Sequence, residues 1–138
     1  MTEKKTNADQ PQNYEGLQHH IPELKTPSID TWEFQYPESQ TSITVSIPEF
    51  TCICPKTGLP DFATLFIEYV PFEHCLELKS LKEYMFSYRD VGVFHEHVVN
   101  KVLDDCVKAC KPRKMEIKGV FNMRGGIQTT ALAIFTKR

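Results

Sequence analysis

The sequence VFHEHVVNKVLDDCVKAC, residues 93–110, contains the longest predicted helix. Its apolar residues recur every three or four positions, which is the period of an amphipathic helix that buries one stripe. The helix has to end before Pro112, because proline lacks a backbone donor and clashes with the preceding turn. The two cysteines within the stripe are therefore predicted to be small core residues. The stripe consists of Phe94, Val98, Val99, Val102, Leu103, Cys106, Val107 and Cys110.

A hairpin is predicted directly after this helix. Apolar side chains occupy alternate positions from 115 to 123, as in a half-buried strand that runs up to Arg124. The glycines at 125 and 126 fit a tight turn, and residues 127–135 are predicted to form the return strand. The alternating residues are Met115, Ile117, Phe121 and Met123.

Two strands and a shorter helix are predicted upstream of the long helix. The sequence TSITVSI predicts a strand at 43–47, a second strand follows at 63–70, and a short alternation around Trp32 is stopped by Pro37. The spacing of Ser80 and Glu83 fits a capping box, in which the two side chains satisfy the first free N–H groups of a helix. The apolar residues of that helix are Leu81, Tyr84, Met85 and Tyr88.

The predicted order is therefore strand, strand, helix, helix, strand, strand. We expect an α+β fold, in which an antiparallel four-stranded sheet carries both helices on one face. The other face and the sheet edges would need a cover, and neighbouring subunits are its expected source. Residues 1–30 are polar and are predicted to be a flexible N-terminal arm, which leaves a single domain over 31–138.

Length and charge limit the class of protein. A chain of 138 residues has room for one core, and 41% hydrophobic residues exclude wholesale disorder. The net charge of -2 provides no general attraction to nucleic acid or to anionic membranes. The sequence has no apolar run of about 18 residues and no secretory signal, so we expect a cytoplasmic protein without a membrane span. Its five cysteines would then be reduced.

Cys54 and Asp61 are candidates for nucleophilic chemistry. Cys54 lies where a strand gives way to a loop with Pro55, Gly58 and Pro60, seven residues before Asp61. A thiol becomes a useful nucleophile when a nearby base takes its proton, and a loop carboxylate can do so. The alternative is that Cys54 is an ordinary strand-end residue and Asp61 a turn former. The spacing of the two residues does not decide between these interpretations.

A zinc site is a second interpretation of the cysteines. Cys52, Cys54, His74 and Cys75 are of the residue types that bind zinc. Their spacing departs from the paired C-x-x-C pattern, and one pair lies about twenty residues from the other, which disfavours a metal.

His95 and Glu96 stand out on the long helix. At 100° per residue, His95 falls in the middle of the apolar stripe and Glu96 at its edge, whereas His97 points toward solvent. A histidine and a glutamate that enter a core face need partners or a ligand, because burying them unpaired is costly. A core histidine bonded to a backbone carbonyl, with Glu96 complementing the helix dipole, explains the pattern equally well.

Lys79 and Lys82 lie one turn apart near the start of the shorter helix and could bind phosphate. Arg124 could join them if the hairpin folds nearby. A solvated basic face is the alternative. The sequence has no Gly-rich dinucleotide or P-loop signature, so neither of those nucleotide sites is available.

Four blocks of this sequence resemble one enzyme family. ELKSLKEY at 77–84 resembles the signature of the NADPH-dependent 7-cyano-7-deazaguanine reductases, the nitrile reductases of queuosine biosynthesis. FTCICPKTGLPDFA at 50–63, FSYRDVGVFHEHVVN at 86–100 and the turn that begins at Arg124 agree with it in the family's order, so that the resemblance covers about residues 43–135. It implies the tunnelling fold shared with GTP cyclohydrolase I, assembled as ring-forming oligomers with sites at subunit interfaces.

The resemblance also implies roles for individual residues. Cys54 would be the nucleophile and Asp61 the general acid/base, while His95 and Glu96 would recognise the deazaguanine. Leu76, Glu77 and Leu78 would line the base, and the cofactor phosphates would be bound by Lys79, Lys82 and Arg124.

The implied reaction reduces the nitrile of 7-cyano-7-deazaguanine to an amine with two NADPH and no metal, through a covalent thioimide on Cys54. The expected partners are the nitrile, NADPH and further copies of the chain, without direct nucleic-acid or membrane contact. Two alternatives stay open. A zinc-dependent cyclohydrolase-like enzyme of the same fold would contain metal, and a non-catalytic purine- or pterin-binding ring would bind its ligand without turnover.

Overall fold

The secondary structure follows the predicted order, with a short turn and a short strand added. The computed structural model describes residues 20–138. No helix in this part of the chain is long and apolar enough to cross a membrane. The elements are a 3-10 turn at Ile21–Glu23, β1 (Thr31–Glu33), β2 (Ile43–Ile53), β3 (Pro60–Val70), β4 (His74–Leu76), α1 (Leu78–Phe86), α2 (His95–Cys110), β5 (Lys114–Phe121) and β6 (Thr130–Thr136).

The main sheet confirms the predicted antiparallel four-stranded arrangement. Its strands lie in the order β2, β3, β5, β6, and every neighbouring pair is antiparallel. Strand β2 runs past the predicted end at 47, with a register shift between Ile47 and Phe50. Pro48 lies within that shift, where an edge strand tolerates a residue that cannot donate to the ladder. The loop predicted after β2 is shorter than expected, because β3 already begins at Pro60.

Both helices pack on one face of this sheet, as predicted. The Tyr88 ring, just after α1, lies 5.6 Å from the ring of Phe50 on β2. Tyr84 of α1 donates a hydrogen bond of 2.5 Å to Asp105 of α2, so the two helices are neighbours. On the opposite face of the sheet, three apolar side chains are 50–55% exposed: Phe62, Leu132 and Ile134.

The long helix begins and ends close to its predicted limits. It starts at His95, with Phe94 in an extended conformation before it, and it ends at Cys110. Lys111 adopts the left-handed conformation at φ 48° and donates its N–H to Val107. This is a common way to close a helix, and Pro112 then prevents its continuation.

The capping-box prediction for the shorter helix was wrong. The helix begins at Leu78, and its N-cap is Glu77, whose carboxylate accepts from the N–H groups of Lys79 and Ser80. Ser80 lies inside the first turn, where its hydroxyl donates to the Glu77 carbonyl and accepts from the N–H of Asp30. A carboxylate at the N-cap provides the same acceptors as serine and adds a favourable charge at the positive end of the helix dipole.

A small second sheet was only half predicted. Strand β1 pairs antiparallel with β4, in a register that places Trp32 opposite Cys75. The prediction included a strand around Trp32 but none at His74–Leu76. A strand of three residues contains too few alternations to produce a periodic signal. Strand β4 sets where α1 begins, because only Glu77 separates the two elements.

The predicted N-terminal arm falls largely outside the described residues, so its flexibility and the domain division stay predictions. Residues 20–30, which we assigned to the same arm, contact the domain. Ile21 is 4% exposed and belongs to the core, and the Asp30 carbonyl accepts from the N–H of Glu77. Lys101 of α2 also reaches the Pro22 carbonyl, at 3.4 Å. These few contacts were not predicted, because the sequence of this segment is mostly polar.

Gly119 of β5 permits the close approach of α2 to the sheet. A Cβ at this position would lie 2.9 Å from both Phe121 Cε1 and Val99 Cγ2, and both of these side chains are buried. We expect Gly119→Ala to lower the free energy of unfolding by about 1–3 kcal/mol, the usual cost of overpacking a core. Urea unfolding measures this directly, and an unchanged midpoint would contradict the packing described here.

Candidate active site

Cys54 lies at the turn that joins β2 to β3. Its N–H donates to the Leu59 carbonyl at 2.8 Å, and its own carbonyl accepts from the N–H of Gly58 at 2.8 Å. Gly58 has a φ of 73°, a conformation that favours glycine. Because both of its backbone groups are bonded across this turn, Cys54 is held in a defined position, with its thiol partly exposed.

The thiol of Cys54 differs electrostatically from the other four. Burial and, to a smaller extent, the negative charge of Asp61 raise the pKa of Cys54. Hydrogen bonds from the Thr57 hydroxyl and from the backbone at Thr57 and Lys56 lower it by more, so that its pKa lies below the usual value. The four other cysteines are buried, and burial raises the pKa of each. For Cys52, two residues away, the pKa reaches about 12. Cys54 is therefore the thiol best able to act as a nucleophile.

Asp61 lies on β3 beside this turn, directly opposite Cys52 in the strand register. Its side chain is only 8% exposed, and its two oxygens have different partners. The Oδ2 atom lies 3.1 Å from Nε2 of His95, and Oδ1 lies 3.1 Å from Nη2 of Arg124. The structure thus brings together three of the predicted site residues, from a strand, a helix and a hairpin.

His95 is held on two sides at the start of α2. Its ring stacks on Phe121 of β5, with centroids 3.7 Å apart and planes 8° from parallel. Its Nε2 meets the Asp61 carboxylate, so its partner is a charged side chain rather than the backbone carbonyl considered from the sequence. Glu96 follows in the first turn with its side chain exposed, and His97 is exposed as predicted. Phe121 was predicted only as a core residue, because nothing in the sequence indicates its stacking partner.

The predicted base-lining residues lie at the junction of β4 and α1. Leu76 is 2% exposed, whereas Leu78 is 58% exposed. Glu77 lies between them, and hydrogen bonds from the backbone N–H groups of Ser80 and Lys79 lower its pKa. Its carboxylate is therefore held in its charged form by the helix that it caps.

Lys82 contributes to the wall of a groove of about 800 Å³ between α1 and β2. Its ammonium lies 5.9 Å from the centre of the Phe86 ring, and the guanidinium of Arg89 lies 5.7 Å from the same ring. Lys79 is exposed one turn earlier on α1. Sequence reasoning did not single out Arg89, which lies seven residues after Lys82 but beyond the end of α1 at Phe86. Arg124 contacts Asp61 instead of this cluster.

The four candidate zinc ligands do not form a metal cluster. In residues 20–138, no group of three or more histidine, cysteine, aspartate or glutamate side chains is arranged to hold a metal ion. His74 and Cys75 lie on β4 in the small sheet, whereas Cys52 and Cys54 belong to β2 and the turn after it.

Comparison with known proteins identifies the family. Residues 60–138 match the model of the family described as QueF-like protein. A protein of Nitrosococcus oceani named NADPH-dependent 7-cyano-7-deazaguanine reductase is 54% identical over 82% of this chain and 88% of its own length. A protein of Halorhodospira halophila with the same name is 57% identical over 77% of this chain and 90% of its own length. The chain belongs to the NADPH-dependent 7-cyano-7-deazaguanine reductase family.

The family assignment confirms the resemblance found in the sequence motifs. The range matched by the QueF-like model includes Asp61, His95 and Arg124, and it begins six residues after Cys54. A relative of the same name from Elusimicrobium minutum is 51% identical over 114 residues, which is 83% of this chain and 86% of the relative. Members of this reductase family therefore match the chain along most of its length.

A solved structure supports the fold of this reductase family member. The crystal structure of an archaeosine synthase, QueF-Like in the apo form, superposes with a TM-score of 0.65 over 70% of this chain and 94% of its own chain. The two sequences are 20% identical, so this likeness concerns the fold alone. It agrees with the α+β architecture of antiparallel strands and two helices described above.

Proposed function

We propose that this protein reduces the nitrile of 7-cyano-7-deazaguanine to 7-aminomethyl-7-deazaguanine through a covalent thioimide on Cys54. One observation supports the proposal: the one partly exposed thiol among residues 20–138, with a lowered pKa, interacts electrostatically with a carboxylate that is fixed by two partners. A nitrile carbon accepts hydride poorly until a nucleophile has added to it, so a reductase of this kind needs such a thiol.

Cys54 and Asp61 provide the groups that the addition of the thiol to the nitrile requires. Cys54 transfers its thiol proton to Asp61 and forms a sulfur–carbon bond with the nitrile carbon. One π bond of the nitrile breaks, and Asp61 delivers the proton to the nitrogen, which gives a thioimide. His95, in contact with Oδ2 of Asp61, helps to hold the carboxylate in place.

Recognition of the purine-like base is assigned to the residues around His95. The exposed Glu96 carboxylate would accept hydrogen bonds from the N–H donors of the base. The family resemblance also assigns base-lining roles to Leu76, Glu77 and Leu78, which lie at the junction of β4 and α1. An acid in the first turn of a helix is also stabilised by the helix dipole, which lowers the cost of keeping Glu96 charged.

The groove along α1 is the proposed cofactor site. Lys82 and Arg89 provide cations for phosphates within the groove, and the exposed Phe86 ring lies beside both of them. Lys79 lies one turn before Lys82 on α1 and is exposed. Lys79 and Lys82 would bind the phosphates, and Arg124 is the third cation that the family resemblance implies. When bound, NADPH supplies hydride in two successive reductions, first of the thioimide and then of the imine left when the thiol departs.

We further propose a tunnelling-fold ring of identical subunits with sites at the subunit interfaces. Both edges of the main sheet, β2 and β6, lack a strand partner among the described residues. Exposed edges and the apolar side chains on the open face would both be covered by neighbouring subunits. The queuosine pathway and the cytoplasmic location belong to the same proposal and follow from the resemblance and the composition.

Incubation with 7-cyano-7-deazaguanine and NADPH tests the function directly. The absorbance of reduced nicotinamide should fall, with two NADPH consumed for each nitrile and the amine as the product. Bound ligand without NADPH consumption would support a non-catalytic binder. Opening of a pterin or purine ring, accompanied by zinc in elemental analysis, would support a cyclohydrolase-like enzyme.

Glu96 separates base recognition from helix stabilisation. As a contact to the base, Glu96→Gln places a donor against a donor and loses a charge-assisted bond, which we expect to weaken binding by about 1.5–3 kcal/mol. As a dipole partner alone, the change costs about 0.3–1 kcal/mol of stability and leaves affinity unchanged. Calorimetric titration in a Cys54→Ala background measures affinity without reaction, and thermal unfolding measures stability.

Glu23→Gln is the matched control, because it makes the same chemical change at an exposed glutamate in the N-terminal 3-10 turn. It should retain full affinity. We expect the Glu96 variant to lose affinity while its melting temperature stays nearly constant. Lost stability with unchanged affinity would remove Glu96 from the site.

A further inference from the structure

The contact between Arg124 and Asp61 places a cation on the proposed acid/base. Nη2 of Arg124 lies 3.1 Å from Oδ1 of Asp61, and the same nitrogen donates to the carbonyl of Pro60. One guanidinium therefore links the carboxylate with the backbone of the residue immediately before it. This arrangement restricts rotation of the Asp61 side chain, whose other oxygen meets His95.

The hairpin that carries Arg124 is itself rigidly built. Arg124 and Ile127 exchange backbone hydrogen bonds of 2.9 Å in both directions, and the two glycines between them have φ of 56° and 79°. Two left-handed residues between mutually bonded neighbours make the tight turn that best matches strand twist. The N–H of Asn122 donates to the Phe62 carbonyl at 2.8 Å, which ties the base of this turn to the residue after Asp61.

We propose that Arg124 is a positioning residue for Asp61, in addition to any contact with cofactor phosphate. By holding Oδ1 while His95 holds Oδ2, it fixes the orientation of the carboxylate that takes the thiol proton from Cys54 and gives it to the nitrile nitrogen. The electron balance of the addition is unchanged: a sulfur–carbon bond forms, a carbon–nitrogen π bond breaks, and the proton moves from sulfur to nitrogen. This inference rests on the proposed nitrile chemistry.

Adduct formation without NADPH isolates this role, because cofactor binding cannot influence it. Protein is mixed with saturating 7-cyano-7-deazaguanine, quenched at intervals, and analysed by intact mass. We expect R124Q to form the adduct about 10- to 100-fold more slowly than wild type, the usual effect of a misplaced catalytic group. R124K retains the charge and should be intermediate. R138Q removes a guanidinium at the C-terminal residue and should match wild type.

A double variant distinguishes positioning from a general structural effect. If Arg124 acts through Asp61, then D61N/R124Q should form the adduct no more slowly than D61N alone, since interacting residues are not additive. Should R124Q melt below the assay temperature, R124K decides, and it must be slower than wild type.

Two results would overturn the inference while leaving the function intact. One is adduct formation by R124Q at the wild-type rate, with only the KM for NADPH raised during turnover. The other is a D61N/R124Q variant that is slower than D61N by the full R124Q factor. A wild-type protein that forms no adduct would overturn the proposed function together with this inference.

Discussion

Cys54→Ala is expected to abolish reduction of the nitrile, with a loss in kcat on the order of 10⁴-fold or more, while the base still binds. The reason is that the thiol at position 54 is partly exposed and has a lowered pKa, whereas the four other cysteines are buried with raised pKa values. Cys54→Ser should also fail, because a hydroxyl is a much weaker nucleophile at neutral pH. Steady-state NADPH consumption and equilibrium binding of the nitrile measure the two properties.

Cys52→Ala is the matched control for this change. Cys52 lies two residues away on the same strand, fully buried, and burial raises the pKa of its thiol to about 12. Its loss should reduce stability and leave turnover nearly intact. Substantial turnover by Cys54→Ala or Cys54→Ser would eliminate the covalent mechanism.

Asp61→Asn should slow formation of the thioimide by about 10²- to 10⁴-fold, the usual contribution of a positioned acid/base. The amide is nearly the same size as the carboxylate and can still bond both neighbours, so we expect the fold to remain. It cannot take the proton of Cys54, nor deliver one to the nitrile nitrogen. Intact-mass spectrometry of samples quenched at intervals, in the absence of NADPH, measures the rate of adduct formation in isolation.

Asp104→Asn makes the same chemical change at an exposed position on α2 and should react like wild type. Circular dichroism and thermal unfolding of both variants verify that the fold is retained. An adduct that forms on Asp61→Asn as fast as on wild type would show that Asp61 has another role.

The periodic parts of the fold were predictable from the sequence. The long helix and the C-terminal hairpin each place apolar residues on one side over many positions, and the structure confirms that both exist. The hairpin strands stop farther from the turn than predicted, the first at Phe121 instead of Arg124 and the second starting at Thr130 instead of 127.

The short features were missed for a physical reason. Strand β4 has only three residues, too few for a periodic signal. The capping box of Ser80 and Glu83 matched a known sequence pattern, whereas the actual N-cap, Glu77, does not belong to that pattern. Ile21 lay in a polar context, so its burial depended on tertiary contacts.

The candidate site was predictable only in part. A strand-end cysteine with a nearby carboxylate, and a histidine in an apolar helical stripe, are local patterns that a sequence displays. The ion pair of Arg124 with Asp61 joins residues 63 positions apart, and it depends on how the hairpin lies against β3. The stacking of His95 on Phe121 likewise depends on the packing of α2 over the sheet. No periodicity encodes such contacts.

Covalent catalysis by Cys54 can be tested by mapping the residue to which the substrate attaches. Wild-type protein is incubated with 7-cyano-7-deazaguanine in the absence of NADPH, digested, and fragmented so that cleavage between Cys52 and Cys54 is observed. We predict one modification, equal to the mass of the intact nitrile, on Cys54 alone, and none on Cys54→Ala. Attachment to Cys52 or another cysteine, or no attachment in a wild-type protein that consumes NADPH with the nitrile, would contradict the account.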